Sequence, residues 1–323
     1  MNKYHWTKIT EAAAFAPRDG AGALVFQDRM WLLGGWNPND KKNFPKICNS
    51  EVWSSSNGLE WKLETLEAPW EARHCAGYVV HQGKMWIVGG DSNQGHHQFD
   101  VWNSGDGINW EQVCDRVPWG PRSAHCTAAF AGKIWVMGGQ TILKHGPSEE
   151  AFYSDVWNSE DGVHWTKVAD DLPWGPRGMI GGEAIFNNRI WLLGGGTYET
   201  PQRPDRVVYN DVWSTADGIQ WECHTPDAAW QPRQYHEVAV FDNQLWVLEG
   251  YSHAGDRKFC PASPVGSNIN DVWHSPDGVQ WTEVPNSPWL PRHAASVFVY
   301  HDALWLVAGN NMTSDVWKLT RAS

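Results

Sequence analysis

Several ionisable side chains interrupt segments of the sequence that are otherwise small or apolar. Glu183 precedes Ala-Ile-Phe, and Glu237 follows His236 at the start of an apolar run. His125 corresponds in position to His236, since each stands three residues after an arginine. A carboxyl or imidazole group in apolar surroundings has a shifted pKa and can exchange protons near neutral pH. We therefore predict acid–base catalysis by these four residues, with hydrogen bonding to ordered water as the structural alternative.

An arginine recurs six times, in a pattern that reads Trp-x-Pro-Arg. Alanine replaces the proline once, and phenylalanine replaces the tryptophan once. The six residues are Arg18, Arg73, Arg122, Arg177, Arg233 and Arg292. A guanidinium group binds a carboxylate through two parallel hydrogen bonds. Two interpretations stay open: the six side chains pair or stack within a scaffold, or some of them bind an anionic ligand.

The sequence contains no recognisable metal or nucleotide motif. The segment that begins at His236 reads HEVAV and lacks the second histidine of the zinc-binding HExxH pattern. The six cysteines form no CxxC pair. Neither a phosphate-binding glycine loop nor a GxSxG nucleophile elbow is present. We expect no cofactor, and a metal site built from histidines stays an alternative.

These candidate catalytic and ligand-binding residues belong to a sequence that repeats six times. Successive arginines are 55, 49, 55, 56 and 59 residues apart. Each copy contains an apolar segment that begins with Trp and ends in Gly-Gly, which becomes Glu-Gly and Ala-Gly in the last two copies. Each copy also contains an [Asp/Glu]-Val-Trp element, and in five copies another Trp follows eight residues later. Turn residues divide every copy into four short strands, which predicts six four-stranded blades.

A period near 50 residues with a Gly-Gly and two aromatic positions resembles the kelch-repeat family over the whole chain. The resemblance implies an all-β fold, a six-bladed β-propeller. We predict one domain over residues 1–323, with blades that begin near the six arginines. Trp6 lies 12 residues before Arg18, and the same interval separates the last Trp of a repeat from the next Arg in four other places. We therefore expect residues 4–9 to form the outer strand of the last blade and to close the ring.

One connection in the repeat varies in length and predicts where a ligand would bind. The Trp of the second strand and the Trp of the third are 22, 16, 22, 22, 27 and 12 residues apart. Long variable loops at one end of a rigid scaffold are typical of binding sites, so we predict the mouth of the propeller there. Besides the arginines, the candidate ligand-binding residues are Trp36, Tyr198, Tyr235, Tyr251, His74 and His293. Trp36 alone among the 24 tryptophans stands outside the repeating columns, which favours stacking on a ligand.

Composition and charge exclude some classes of function. The formal net charge is −12, and so acidic a chain is a poor candidate for binding nucleic acid. The first residues contain no apolar leader, and no apolar run reaches the length of a membrane span. We therefore expect a cytoplasmic protein that does not bind a membrane.

Kelch propellers include protein-binding adaptors, a bacterial sialic acid mutarotase, iron-dependent plant proteins and a copper oxidase. A chain of six repeats with a ring of arginines is most similar to the mutarotase subgroup. That resemblance implies a small-molecule pocket at the mouth for a polar or anionic, sugar-like ligand, with acid–base isomerisation as the activity if the protein is an enzyme. Two alternatives stay open: a non-catalytic propeller that binds a protein or a glycan, and a metal-dependent kelch enzyme with histidine ligands.

Overall fold

The computed structural model describes residues 3–39, 47–93, 95–142, 149–179, 181–197, 207–252 and 267–322. All regular structure in these ranges is antiparallel β-sheet. The second strand of each repeat is almost fully buried, as its run of apolar residues requires. None of the described residues forms a helix of the length and apolarity needed to cross a membrane.

Each of the first three repeats forms one four-stranded antiparallel sheet, in chain order from the inner to the outer strand. Blade one contains β2 (Gly22–Phe26), β3 (Arg29–Leu33), β4 (Val52–Ser55) and β5 (Lys62–Thr65). Blade two contains β6 (Gly77–His81), β7 (Lys84–Asp91), β8 (His97–Ser104) and β9 (Glu111–Cys114). Blade three contains β10 (Cys126–Phe130), β11 (Lys133–Met137), β14 (Val156–Ser159) and β15 (Thr166–Ala169), with a small extension formed by β12 (Gln140–Thr141) and β13 (Ala151–Phe152).

The last three repeats form equivalent sheets. Blade four contains β16 (Glu183–Phe186), β17 (Arg189–Gly196), β18 (Val208–Thr215) and β19 (Trp221–Thr225). Blade five contains β20 (Glu237–Phe241), β21 (Gln244–Ser252), β22 (Ser267–Ser275) and β23 (Thr282–Glu283). Blade six contains β24 (Ser296–Tyr300), β25 (Ala303–Val307), β26 (Val316–Arg321) and β1 (Tyr4–Thr10). The predicted six-bladed propeller is confirmed.

The ring closes through the N-terminal strand, as the spacing of Trp6 predicts. β1 pairs antiparallel with β26, and Trp6 lies opposite Leu319. Tyr4 donates a hydrogen bond to Asp242 of blade five at 2.6 Å, and Lys3 and Arg321 both form ion pairs with the same carboxylate. The two ends of the chain are therefore attached to each other and to the neighbouring blade.

The repeated tryptophans pack the blades against one another. The indole of Trp31 on β3 donates to the carbonyl of Phe26 at 2.9 Å, and the equivalent bond occurs in all six blades. Gly107, in the last turn of blade two, lies against the ring of Trp31 in blade one, where a Cβ atom would come within 2.2 Å of the ring. Glycine is needed at this turn for its positive φ of 77° as well as for the close approach.

Candidate functional site

The six repeated arginines form the frame around the channel. All six side chains are buried, and each guanidinium bonds the carboxylate that stands two residues before the Trp of the third strand in its own blade. Arg177, for example, lies 2.7 Å from Asp211 and donates to the carbonyl of Gly194 at 2.8 Å. The same Asp211 accepts the indole N–H of Trp213 at 2.8 Å.

The backbone of the arginines joins adjacent blades. The carbonyl of Arg177 accepts the amide of Gly139 in the preceding blade at 2.8 Å, and the other five arginines do the same. These contacts correspond to the interpretation in which the arginines pair within the scaffold. Binding of an anion by Arg18, Arg73, Arg122, Arg177, Arg233 and Arg292 is a prediction that this geometry does not favour, because each guanidinium already has a carboxylate partner.

The inner strands β2, β6, β10, β16, β20 and β24 contact one another in sequence and surround a central channel. A belt of backbone hydrogen bonds crosses from blade to blade at the residue two positions after each arginine. Cys75 N donates to Gly20 O at 2.8 Å, and Ala124 N donates to Cys75 O at 2.8 Å. Ala294 N continues the belt to Tyr235 O at 2.7 Å. Cys75 and Ala124 line a cavity on each side of the belt, so the belt lies between the two cavities.

The outer cavity has a volume of about 280 Å³ and lies at the predicted mouth. Its described walls come mainly from residues directly after an arginine and residues directly after the Gly-Gly position. Five of the predicted ligand-binding residues meet there: Trp36, His74, Tyr235, Tyr251 and His293. These five side chains therefore lie together at one end of the channel, and binding of a ligand there stays a prediction.

Aromatic and imidazole rings in the outer cavity hold one another in place. Trp36 stacks against His74 with ring centroids 6.2 Å apart and an interplanar angle of 26°. His293 contacts the rings of Tyr235 and Tyr251, each at 5.5 Å. Burial lowers the pKa of His293 to about 3, so this imidazole is neutral at physiological pH.

Two carboxylates of the outer cavity were not among the predicted site residues. Asp19 is buried, and burial raises its pKa to about 6, although His74 and a hydrogen bond from Asn310 at 3.0 Å favour the charged form. Asp91 accepts the backbone amides of Asn93 and His96, each at 3.1 Å. Their positions, directly after Arg18 and directly after a Gly-Gly, carry the only sequence signal that could have identified them.

The inner cavity, of about 160 Å³, brings together three of the four predicted catalytic residues: Glu183, Glu237 and His125. Burial raises the pKa of Glu183 to about 7. Burial, together with the nearby Glu183, raises the pKa of Glu237 well above its ordinary value. Both carboxyl groups therefore hold protons in a pH range where exposed glutamates are ionised.

The fourth predicted catalytic residue, His236, lines neither cavity among the described residues. Its Nε2 lies 3.0 Å from the carbonyl of Leu193, and its side chain is fully buried. Burial, with the guanidinium of Arg233, lowers the pKa of His236 to about 3. Burial and Arg122 likewise lower the pKa of His125 to about 3. Both imidazoles are neutral, and a role for either in proton transfer at neutral pH stays a prediction.

Neither the role of Tyr198 nor the presence of a metal is tested by the described residues. Tyr198 lies outside the described residues, as do the central parts of the connections between the second and third strands in blades one, three, four and five. Within the described ranges no group of three or more histidine, cysteine, aspartate or glutamate side chains is arranged to hold a metal ion. Glu249, which replaces the first glycine of Gly-Gly, is buried and accepts the amide of Gly250 at 3.0 Å rather than lining a described cavity wall.

Comparison with known proteins defines the class of fold. No protein family and no curated protein matches the chain by sequence. Among solved structures, "Structure of YjhT" superposes with a TM-score of 0.71 over 95% of this chain and 96% of that chain, at 14% sequence identity. Similarity at this identity shows the fold alone: the chain is a six-bladed β-propeller.

Proposed function

We propose that the protein is a kelch-type propeller that binds a small, uncharged, hydroxyl-rich ligand of the monosaccharide class in its outer cavity. The observation that carries this proposal is the combination of three aromatic side chains with carboxylate and amide groups around one concave site of about 280 Å³. That volume is at the lower end of the range for small-molecule sites, which favours a ligand of a single ring.

The chemistry of the walls suits a sugar. The C–H groups of a pyranose ring form an apolar face that packs on an aromatic ring, as Trp36, Tyr235 and Tyr251 offer. Hydroxyl groups require acceptors and donors at the edges, and Asp19, Asn310 and the other polar side chains of the wall supply them.

The charge of the walls favours a neutral ligand over an anionic one. Asp19 and Asp91 are the ionisable acids among the described lining residues, and no lysine or arginine accompanies them there. A carboxylate-bearing ligand would approach these acids without a lysine or arginine to compensate the repulsion, which disfavours it electrostatically. The anionic ligand considered from the sequence is therefore the less favoured form of the proposal.

A mutarotase-type activity is the second candidate, and the pKa of Asp19 favours it. In mutarotation a base takes the proton of the anomeric hydroxyl while an acid protonates the ring oxygen. The C1–O5 bond then breaks, and the ring recloses on the opposite face of C1. A carboxyl group with a pKa of about 6 can serve as either partner near neutral pH, and His74 lies beside it.

The test is a thermal-shift and calorimetric screen of neutral monosaccharides, with the corresponding sugar acids in parallel. We expect at least one neutral sugar to bind saturably. Trp36→Ala should weaken its binding about tenfold or more, and Trp36→Phe, which keeps an aromatic face, should weaken it less. Asp19→Asn should leave the fold intact and abolish any acceleration of anomer interconversion above the uncatalysed rate, measured by NMR.

Two results would overturn the proposal. The first is tighter binding of a sugar acid than of its neutral counterpart. The second is an absence of binding by every sugar together with stoichiometric capture of a protein by the intact propeller, which would favour the non-catalytic interaction class.

A further inference from the structure

The inner cavity has one polar side and one apolar side at a single level of the channel. The residues at this level are those that stand eight positions before the Trp of each second strand. From blade one to blade six these residues are Ala23, Tyr78, Thr127, Glu183, Val238 and Val297. Three consecutive blades thus carry polar groups, and the other three carry apolar groups. A ring built this way suits a ligand with a polar head and an apolar body.

Polar atoms on the polar side lack hydrogen-bond partners among the described residues. The hydroxyl of Thr127 is buried, with 4% of the residue exposed, and forms no hydrogen bond. Oε2 of Glu183 likewise has no partner. Both side chains line the inner cavity. Buried polar atoms without partners are costly, so these two groups indicate a bound species that supplies the missing bonds.

No described lysine or arginine lines the inner cavity. Glu183 and Glu237 both line the cavity and are close enough to affect each other's ionisation. Neither has an ion pair with a described lysine, arginine or histidine, whereas all six frame arginines are already paired. A cation between the two carboxyl groups would therefore stabilise their charged forms and supply the missing hydrogen bonds.

The opposite side and the entrance of the cavity are apolar. Ala21, Ala23, Ala295 and Val297 form that wall. Two residues further along the inner strands, Val25, Ile185 and Val299 face the same side of their strands and are 37–39% exposed. Solvent therefore reaches the channel at the end opposite the outer cavity, past an apolar ring.

We propose that the inner cavity binds a small alkylammonium ion, with its N–H groups on Glu183, Glu237 and Thr127 and its alkyl group against the alanine and valine wall. An ammonium group has three N–H donors, and these three residues offer three acceptors. A metal ion is less suited, because no described group of three histidine, cysteine or carboxylate side chains could hold one. A volume of about 160 Å³ holds roughly five water molecules, which is room for one such ion and little more.

Binding of this ion is linked to protonation. The two glutamates have raised pKa values, so a cation that binds their charged forms must displace protons. The other titratable groups packed around the pair are Tyr78, Cys75, His125, Cys126 and Glu249. Burial raises the pKa values of the cysteines and of Tyr78 and keeps His125 neutral, so none of these groups supplies a positive charge near pH 7.

The test uses methylammonium and ethylammonium chloride with the full chain, and potassium chloride at the same ionic strength as the reference. We expect saturable binding of the alkylammonium ions by calorimetry, with an affinity that rises about tenfold per pH unit between pH 5.5 and 7 for each proton released. Glu183→Gln and Glu237→Gln should each weaken binding at least tenfold. Glu283→Gln, which changes an exposed glutamate of β23 away from the cavity, should bind as the wild type does.

Calorimetry of the wild type in buffers with different ionisation enthalpies measures the number of protons released on binding. It tests the proposal even if a glutamine variant does not fold. Release of one or more protons per bound ion is the expected result. No saturable binding, binding without proton release, or equal binding of potassium would overturn the proposal. Sugars and amines are separate probes, so failure at the inner cavity is distinguishable from failure at the outer one.

Discussion

The charged side chains of the frame and those of the channel differ in their ion pairing. In the frame, every repeated arginine is buried against a carboxylate of its own blade, at 2.5–2.7 Å. In the channel, Asp19, Glu183 and Glu237 are acids without an ion pair to any described basic side chain.

This difference distinguishes the residues that belong to the repeated scaffold from the residues that are available to a ligand. A charge that recurs in every blade has a partner that also recurs in the same blade, so the pair belongs to the repeated structure and is not available to a ligand. A charge that occurs in only one blade has no repeated partner. Such groups are the ones left to interact with a ligand.

The largest effect is expected from breaking one pair of the frame. Asp211→Ala leaves the buried guanidinium of Arg177 without its carboxylate, and we expect unfolding by urea to become easier by about 3–5 kcal/mol. The control is Glu222→Ala, which removes an exposed ion pair with Arg189 and should cost less than about 1 kcal/mol. Similar losses for the two variants would contradict the structural role assigned to the arginine pairs of the frame.

An effect of intermediate size on stability is expected from a substitution in the channel. This substitution should raise the free energy of unfolding at pH 8, whereas breaking a pair of the frame lowers it. Burial raises the pKa of Glu183 from 4.5 to about 7, so its contribution to stability is fully present below about pH 4.5 and is lost as the pH rises through about 7. Glu183→Gln removes this loss. At pH 8 the variant should be more stable than the wild type by up to about 3 kcal/mol, and near pH 4 the two should be similar.

Denaturant unfolding at both pH values measures this difference. Glu283→Gln, an exposed glutamate of β23, is the matched control and should change stability by less than about 0.5 kcal/mol at either pH. A wild type that is at least as stable as Glu183→Gln at pH 8 would show that the carboxylate is paired after all.

The smallest effect is expected in the uncharged belt between the cavities. Ala294 has a φ of 51°, and Gly20 has a φ of 56° at the equivalent position. Because alanine is strained at positive φ, Ala294→Gly should raise stability by about 0.5 kcal/mol despite the entropy of glycine. Gly20→Ala should lower it by about 1–2 kcal/mol, since its Cβ would also lie 2.8 Å from Cys75 Sγ. Melting temperatures that shift in the reverse directions would contradict this description of the belt.

The fold could be predicted from the sequence because its signals recur. Six copies of the same turn and tryptophan positions indicate six blades, and the spacing of Trp6 predicts the strand that closes the ring. The partners of the arginines were also present in the sequence, as the acidic residue before each Val-Trp, but a recurring column does not by itself show which columns touch.

The site could be predicted only in part, because its residues do not recur. Trp36 and Glu183 stand out as exceptions to a column, and the structure places both on cavity walls. Asp19 and Asp91 look like ordinary turn residues in the sequence. His236 breaks its column as clearly as His125 does, yet it bonds a backbone carbonyl outside the described cavity walls. Direction of a side chain depends on the twist of each strand, which the order of residues does not show.

The most direct test of the contrast between frame and channel is a titration of the side-chain carboxyl carbons by NMR. Asp19→Asn and Glu183→Gln assign two of the resonances by their absence. We predict midpoints near pH 6 for Asp19 and near pH 7 for Glu183, while Asp100 and Asp315, whose pKa values are lowered by hydrogen bonds to their arginines, titrate below the ordinary range of an aspartate. Midpoints below pH 5 for both channel acids would contradict the claim that the channel holds unpaired carboxyl groups.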